Sequence, residues 1–248
     1  MFVPVLDPLQ LTGRSATHVV PVAGQSCLLH AAAVQAWQAL QAAAALDGIQ
    51  LQAVSGFRDF ARQLAIWNGK CLGERPLLDA DGLPLDALAL TPEQRVAAVL
   101  QWSALPGASR HHWGSDVDVI DAGALPAGQA PQLLPDDYAQ GGVFERLGQW
   151  LDEGRAEDFG FFRPYARERG GVRPEPWHLS WAPLAVPALQ GLSVECLAAA
   201  LQQAPLQAAE VVAEQLPLLH ARYVCNVEAA SPRALAAAAL PRNGSKSD

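Results

Sequence analysis

Apolar and polar residues alternate from Ile49 to Ser55, with Ile49, Leu51 and Ala53 set against Gln50 and Gln52. A period of two predicts a half-buried strand there. Asp116 to Ile120 alternates in the same way, which puts Asp116 and Asp118 on one face and Val117 and Val119 on the other. Arg173 to Trp181 reads as a further strand. Its Pro176 has no N–H to give to a ladder, so this strand is expected at a sheet edge or locally distorted, the distortion letting Glu175 and His178 reach one side.

The period lengthens elsewhere. Dense Ala, Leu and Gln over 27–47 predict a helix capped by Ser26 and ended at Asp47-Gly48. Residues 59–68 follow as a second helix. Thr91-Pro92-Glu93 opens a third that runs to about Ser103, and 142–153 form a fourth. Residues 1–24, punctuated by Pro and Gly, read as an irregular arm; Gly69 to Leu90 reads as a long loop or small insertion, and Pro126 to Pro135 as a loop. From Leu184 the pattern becomes Ala/Leu/Gln helices near 192–204, 206–220 and 232–240, followed by a polar tail from Asn243 to Asp248. These helices read as an extension packed on the preceding domain, or as the surface of a homodimer.

Half of the 248 residues are apolar and 17% are charged, which excludes wholesale disorder and allows a substantial core. A net charge of −8 argues against nucleic acid or an anionic membrane surface as the main partner. The longest apolar candidate, Leu28 to Leu46, contains His30, Gln35, Gln38 and Gln41, so no membrane span is expected. No secretory signal is visible: the first basic residue is Arg14, and the apolar segment Val19 to Ala23 is short and broken by Pro21. Cys27, Cys71, Cys196 and Cys225 form no Cys-x-x-Cys pair and read as reduced, packed thiols of a cytoplasmic protein.

The chemistry concentrates in Ser109-Arg110-His111-His112-Trp113-Gly114-Ser115-Asp116-Val117-Asp118 and in Glu175-Pro176-Trp177-His178. Two His and one Asp make three N/O ligands, which suits a catalytic zinc whose fourth position is left to water. Glu175 is then free to act as a base. A structural zinc would close its shell with a fourth ligand, usually Cys, and none is near in sequence. Asp79, Asp81 and Asp86 lack the spacing of a calcium loop. His30 and His220 read as structural residues of helices.

Ser-x-His-x-x-Gly-x-x-x-Asp followed by Glu-x-x-His, with Ser55-Gly56-Phe57-Arg58 leading into a helix that carries Gln63, resembles the zinc peptidases of the D-alanyl-D-alanine carboxypeptidase type. Their fold is shared with the Hedgehog signalling domain. The match runs from Val54 to Pro183 in three blocks in the family's order. The resemblance implies an α+β fold, a small antiparallel sheet with flanking helices, with a zinc peptidase domain over 1–183 and a helical extension over 184–248. It implies one zinc ion held by His111, Asp118 and His178, with Glu175 as general base and Arg58 facing the developing oxyanion. Ser109, Trp177 and Gln63 become candidate substrate contacts, and the substrate a small peptide or muropeptide. Lacking an export signal, such an enzyme would work on cytoplasmic wall fragments or leave by another route. Where the family usually has a small residue such as Ala, this chain has Asp116, either a partner to a ligand His or an extra ligand. His112 is a neighbour or a substrate contact. An endopeptidase of the endolysin type and a non-catalytic zinc module are the alternatives; Glu175 argues against the module. D,D and L,D preference are both open, since loops set the pocket walls.

Overall fold

The computed structural model describes residues 5–126 and 128–237. The N-terminal arm is partly ordered. A single helical turn, α1 (Pro8–Leu11), is started by Asp7, whose carboxylate takes the amides of Leu9 and Gln10. The hairpin β1 (Val19–Pro21) and β2 (Leu28–His30) follows. Pairing with β1 removes Leu28–His30 from the expected helix, so α2 runs Ala31–Leu46. Its cap is His30 rather than Ser26: the Nδ1 lone pair of His30 accepts the Ala32 amide at 3.1 Å. An imidazole nitrogen thus does the work usually left to a serine oxygen.

Next come β3 (Leu51–Ser55) and α3 (Phe60–Cys71), the latter capped by Asp59. The expected loop after it holds a two-residue hairpin, β4 (Leu77–Leu78) and β5 (Pro84–Leu85), before α4 (Pro92–Trp102), which opens with a Thr91/Gln94 capping box. The long strand β6 (Asp116–Asp121) leads through α5 (Pro135–Tyr138) and α6 (Glu145–Asp152) to β7 (Phe161–Phe162) and β8 (His178–Trp181). The chain then becomes helical: α7 (Ala182–Gly191), α8 (Val194–Leu201), α9 (Ala209–Leu219) and α10 (Pro232–Ala237). The polar tail and residues 238–240 of the expected last helix lie outside the described residues.

The main sheet is antiparallel in the order β3-β6-β8-β7. An edge position for the strand after Arg173 is therefore corrected, since β8 lies between two partners. Pro176 needs no ladder position because it precedes the strand: the His178 amide donates to Glu175 O at 3.1 Å, closing a turn, and pairing begins only at His178. Register then does the positioning. Asp118 faces Ser55 on one side and His178 on the other.

The opposite face of the sheet is apolar. Val117, Val119 and Leu179 join Trp37, Leu40 and Ala44 of α2 in one buried cluster, all 0% exposed. Each such large side chain removed from water contributes about 1.5–3 kcal/mol. Leu197, Val212 and Leu216 from the C-terminal helices belong to the same cluster, and Trp67 Nε1 of α3 donates to Gln207 O at 3.0 Å. The described part of the helical extension and the sheet domain thus share a core. Among the described residues no single helix is long and apolar enough to cross a membrane.

Candidate active site

Between α4 and β6 the chain makes a tight turn, Arg110–Trp113, that ends at Gly114 with φ 70°. That conformation favours glycine, and space demands it too: a Cβ there would lie 2.6 Å from Val19 Cγ1 and 2.7 Å from the His30 amide nitrogen. The turn is braced from both sides. Trp113 Nε1 donates to Leu11 O at 3.1 Å. His112, fully buried, accepts the Gly107 amide on Nε2, so its proton sits on Nδ1 and goes to Arg58 O at 2.6 Å. Burial holds this imidazole neutral, down to about 3. His112 therefore ties the turn to the backbone of Arg58; both ring nitrogens are used, and it offers no substrate contact.

The turn delivers His111, β6 delivers Asp118 and the start of β8 delivers His178. One donor atom from each lies within 4.8 Å of the others, and all three residues are buried. His111 Nδ1 donates to Gly56 O at 2.9 Å, leaving Nε2 to face Asp118 Oδ2 at 3.3 Å. His178 is turned the other way. Its Nε2 donates to Asp116 Oδ1 at 2.8 Å, and its Nδ1 faces Asp118 Oδ1 at 3.3 Å. A tetrahedral site with bonds of about 2.0–2.1 Å has edges of roughly 3.3 Å. Asp118 Oδ1 is buried with no hydrogen-bond partner, a costly state for a carboxylate oxygen unless a cation meets it. Donor set, edge lengths and the orphaned oxygen all fit a divalent metal such as zinc.

Asp116, left open by sequence, lies behind the trio. It accepts from His178, from Arg110 Nε at 2.9 Å and from the Ser115 hydroxyl. Arg110 also donates to Ser180 Oγ at 2.6 Å and stacks 4.7 Å from the Trp113 ring centre. Burial opposes the charge on Asp116, but Arg110 and His178 outweigh it and hold the carboxyl well below its usual range. Glu175 approaches from the turn before β8, with Oε2 3.2 Å from His178 Nδ1.

The sequence profile of VanY, D-alanyl-D-alanine carboxypeptidase, matches residues 26–184. The chain belongs to the VanY family. A protein of Haemophilus influenzae described as uncharacterized is 47% identical over 103 residues, which is 40% of this chain and 70% of that protein. The D-alanyl-D-alanine carboxypeptidase of Enterococcus faecalis is 28% identical over 139 residues, 55% of this chain but 41% of that longer protein. The solved structure of VanYB in complex with D-alanine-D-alanine is 25% identical with a TM-score of 0.50, covering 73% of this chain and 88% of that one.

In this VanY-family site the trio opens onto a cavity of about 270 Å³. Ser109 and Trp177 stand on its wall, as does Tyr165, whose ring sits edge-on to His178 at 5.0 Å. Arg58 also reaches the cavity. Its Nη1 donates to Gln63 Oε1 at 2.8 Å and its Nη2 to Ser55 Oγ at 3.2 Å, both neutral acceptors, while Nε has no partner. Gln63 departs from expectation. It is fully buried behind Arg58, does not line the cavity, and spends both amide protons on Ser103 Oγ and Ala104 O. It orients the arginine instead of meeting a substrate. Sequence reasoning passed over Lys70, which lines the cavity from the last turn of α3. One signal was available: the chain has fifteen Arg but only two Lys, Lys70 and Lys246.

Proposed function

We propose that this VanY-family chain is a zinc-dependent peptidase that hydrolyses D-alanyl peptide bonds of peptidoglycan-type stem peptides. The observation that carries the reading is the trio itself: three buried donors within 4.8 Å, each histidine with its far nitrogen already committed. His111 Nε2, His178 Nδ1 and the Asp118 carboxylate would hold one zinc ion. When bound, zinc supplies a Lewis acid for the scissile carbonyl and makes a neighbouring water acidic enough to attack near neutral pH.

The chain's own groups do the rest. Glu175, at the mouth of the trio, takes the proton of the attacking water and returns it to the departing amine. Arg58, which lines the cavity and keeps an unpartnered Nε, stabilises the oxyanion that develops on the carbonyl. Ser109 and Trp177 hold the peptide against the wall. The Glu175 carboxylate favours this over a metal-only module, which has no use for a base there.

Release of D-alanine from tetra- and pentapeptide stems, compared between the unsubstituted chain and Glu175→Ala, tests the reading. Turnover that disappears in Glu175→Ala is the expected result. Bound zinc without turnover on any stem peptide would support the module, and cleavage confined to cross-linked peptides would support an endopeptidase.

A further inference from the structure

The loop between β7 and β8 carries two groups of the site, Tyr165 on the cavity wall and, near its end, Glu175. It folds back on itself, the Glu175 amide donating to Tyr165 O at 2.9 Å. On one side the Arg173 amide meets Gln101 O of α4 at 2.9 Å. The other side lies against a stretch of the C-terminal extension, a π-helical turn (His220–Val224) and the residues that follow it to Glu228. That stretch lies beyond residues 26–184, which match the VanY profile.

Much of the contact runs through backbone groups. The Glu228 amide donates to Pro164 O at 2.9 Å, one residue before the carbonyl that holds Glu175. Asn226 Nδ2 donates to Arg169 O at 2.8 Å, and its Oδ1 accepts from Arg169 Nε at 3.1 Å. Arg222 Nε donates to Gly170 O at 2.6 Å. The Glu228 carboxylate accepts Nε and Nη2 of Arg167 at 2.9 and 3.1 Å, and Arg169 Nη1 at 3.2 Å. At Gly171 the two segments pack so closely that a Cβ would collide with the Arg222 carbonyl oxygen. Val172 lines the active-site cavity and also shares a small apolar cleft with Tyr223 and Val224. Three carbonyls of the loop, at Pro164, Arg169 and Gly170, are thereby bonded to the extension rather than left to water.

We infer that residues 222–228 are a clamp that positions the general base: by fixing the loop from Pro164 to Glu175, they set where the Glu175 carboxylate stands at the mouth of the trio. This rests on the reading of Glu175 as base and gives the extension a task in the same reaction. Arg222, Asn226 and Glu228 act through the loop, since none of them lines the cavity. The metal donors stand on other supports: His111 on the tight turn, Asp118 and His178 on paired strands. Loss of the clamp should therefore cost turnover without costing metal.

The test uses the zinc-loaded full chain. Asn226→Ala/Glu228→Ala removes side-chain contacts, and Gly171→Ala separately wedges the two segments apart. Arg233→Ala is the control, because it breaks an ion pair with Asp158 elsewhere in the extension. Release of D-alanine from a pentapeptide stem is measured alongside amide hydrogen exchange read by mass spectrometry. Both loop variants should keep stoichiometric zinc and lose kcat by up to about 100-fold, the cost of displacing a reacting group by about 1 Å. KM should change less than kcat. Glu228→Gln alone, which keeps an acceptor for Arg167, should recover most of the loss. Exchange should quicken in residues 164–175 and stay slow in β8. Unchanged kcat, or unchanged exchange in the loop, overturns the inference. So does loss of zinc in step with turnover, or an equal loss in Arg233→Ala, since either marks a general loosening of the fold. If the unsubstituted chain hydrolyses no stem peptide, the peptidase reading fails by itself and exchange decides alone. Loop protection lost in the two variants but not in Arg233→Ala then supports the clamp, and protection retained removes it.

Discussion

Asp116 and His178 are joined by a 2.8 Å hydrogen bond from Nε2 to Oδ1, across two neighbouring strands and with both residues buried. The bond fixes the ring's orientation and leaves the Nδ1 lone pair for the cavity. Arg110 keeps the carboxylate charged, so the device is a chain of three side chains behind one donor atom. Removing such a partner typically costs 10–100-fold in metal affinity. Asp116→Asn should therefore weaken zinc by that factor, read by competition with a chromogenic chelator, while the circular dichroism spectrum is retained. Asp116→Ala should do more harm, because it strands the buried Arg110 guanidinium; a stability loss of about 3–5 kcal/mol is expected in denaturant titration. Unchanged zinc affinity in Asp116→Asn would remove the carboxylate from the metal's support.

The trio and the acid beside it should separate cleanly under substitution. His111→Ala and His178→Ala are expected to lose both zinc and turnover. Glu175→Ala should retain stoichiometric zinc by metal analysis and lose turnover by at least about 100-fold, the low end for a positioned acid–base group. Normal turnover in the Glu175 variant would refute its role as base.

Arg58 and Gln63 act as a pair, one in the cavity and one behind it. Arg58→Ala should lower kcat by about 100- to 1000-fold, the usual loss for one oxyanion donor. Gln63→Leu removes the 2.8 Å acceptor of Arg58 Nη1 and both donors to the 103–104 backbone and hydroxyl. It should cost about 1–3 kcal/mol in stability for the groups left unpaired, with a smaller fall in kcat than Arg58→Ala. A Gln63→Leu variant with raised KM and native stability would instead point to direct substrate contact.

Stability should fall with acid in a window that His30 helps to define. Burial, reinforced by nearby His18, lowers its pKa to about 4. The unfolded chain binds that proton near the ordinary value of about 6.5, so below it the unfolded state takes up the proton first and folding weakens. The contribution is complete above about pH 7 and is withdrawn as pH falls toward 4. Chemical denaturation between pH 7 and 5 should show a shallower loss in His30→Asn, which keeps a capping oxygen but cannot titrate. Parallel curves for the two proteins would assign the acid sensitivity elsewhere.

How much of this was legible in the sequence varied by residue, for physical reasons. The meeting of His111, Asp118 and His178 was legible, since motif spacing encodes local geometry: a glycine-ended turn and an alternating strand. The alternation put Asp116 on the same face as Asp118 but left its role open between partner and ligand; only the pairing of β6 with β8 brings it to His178. The α2 boundary was not legible, because the pairing of β2 with β1 that displaced it is not local. Pro176 precedes a strand and was read as marking an edge or a local distortion; only the order β3-β6-β8-β7 excludes the edge. Gln63 and Lys70 lie seven positions apart on α3, and which of them meets the cavity depends on how that helix docks.

The register of β6 on β8 works as a ruler. A slip of one position would turn Asp118 into the apolar layer and bring a valine before His178. Length changes within either strand should thus abolish the site outright, whereas the long connection between the strands is free to vary in size. Variation in what the cavity accepts is therefore channelled into the loops, with the pair of strands that carries Asp118 and His178 left as the fixed gauge.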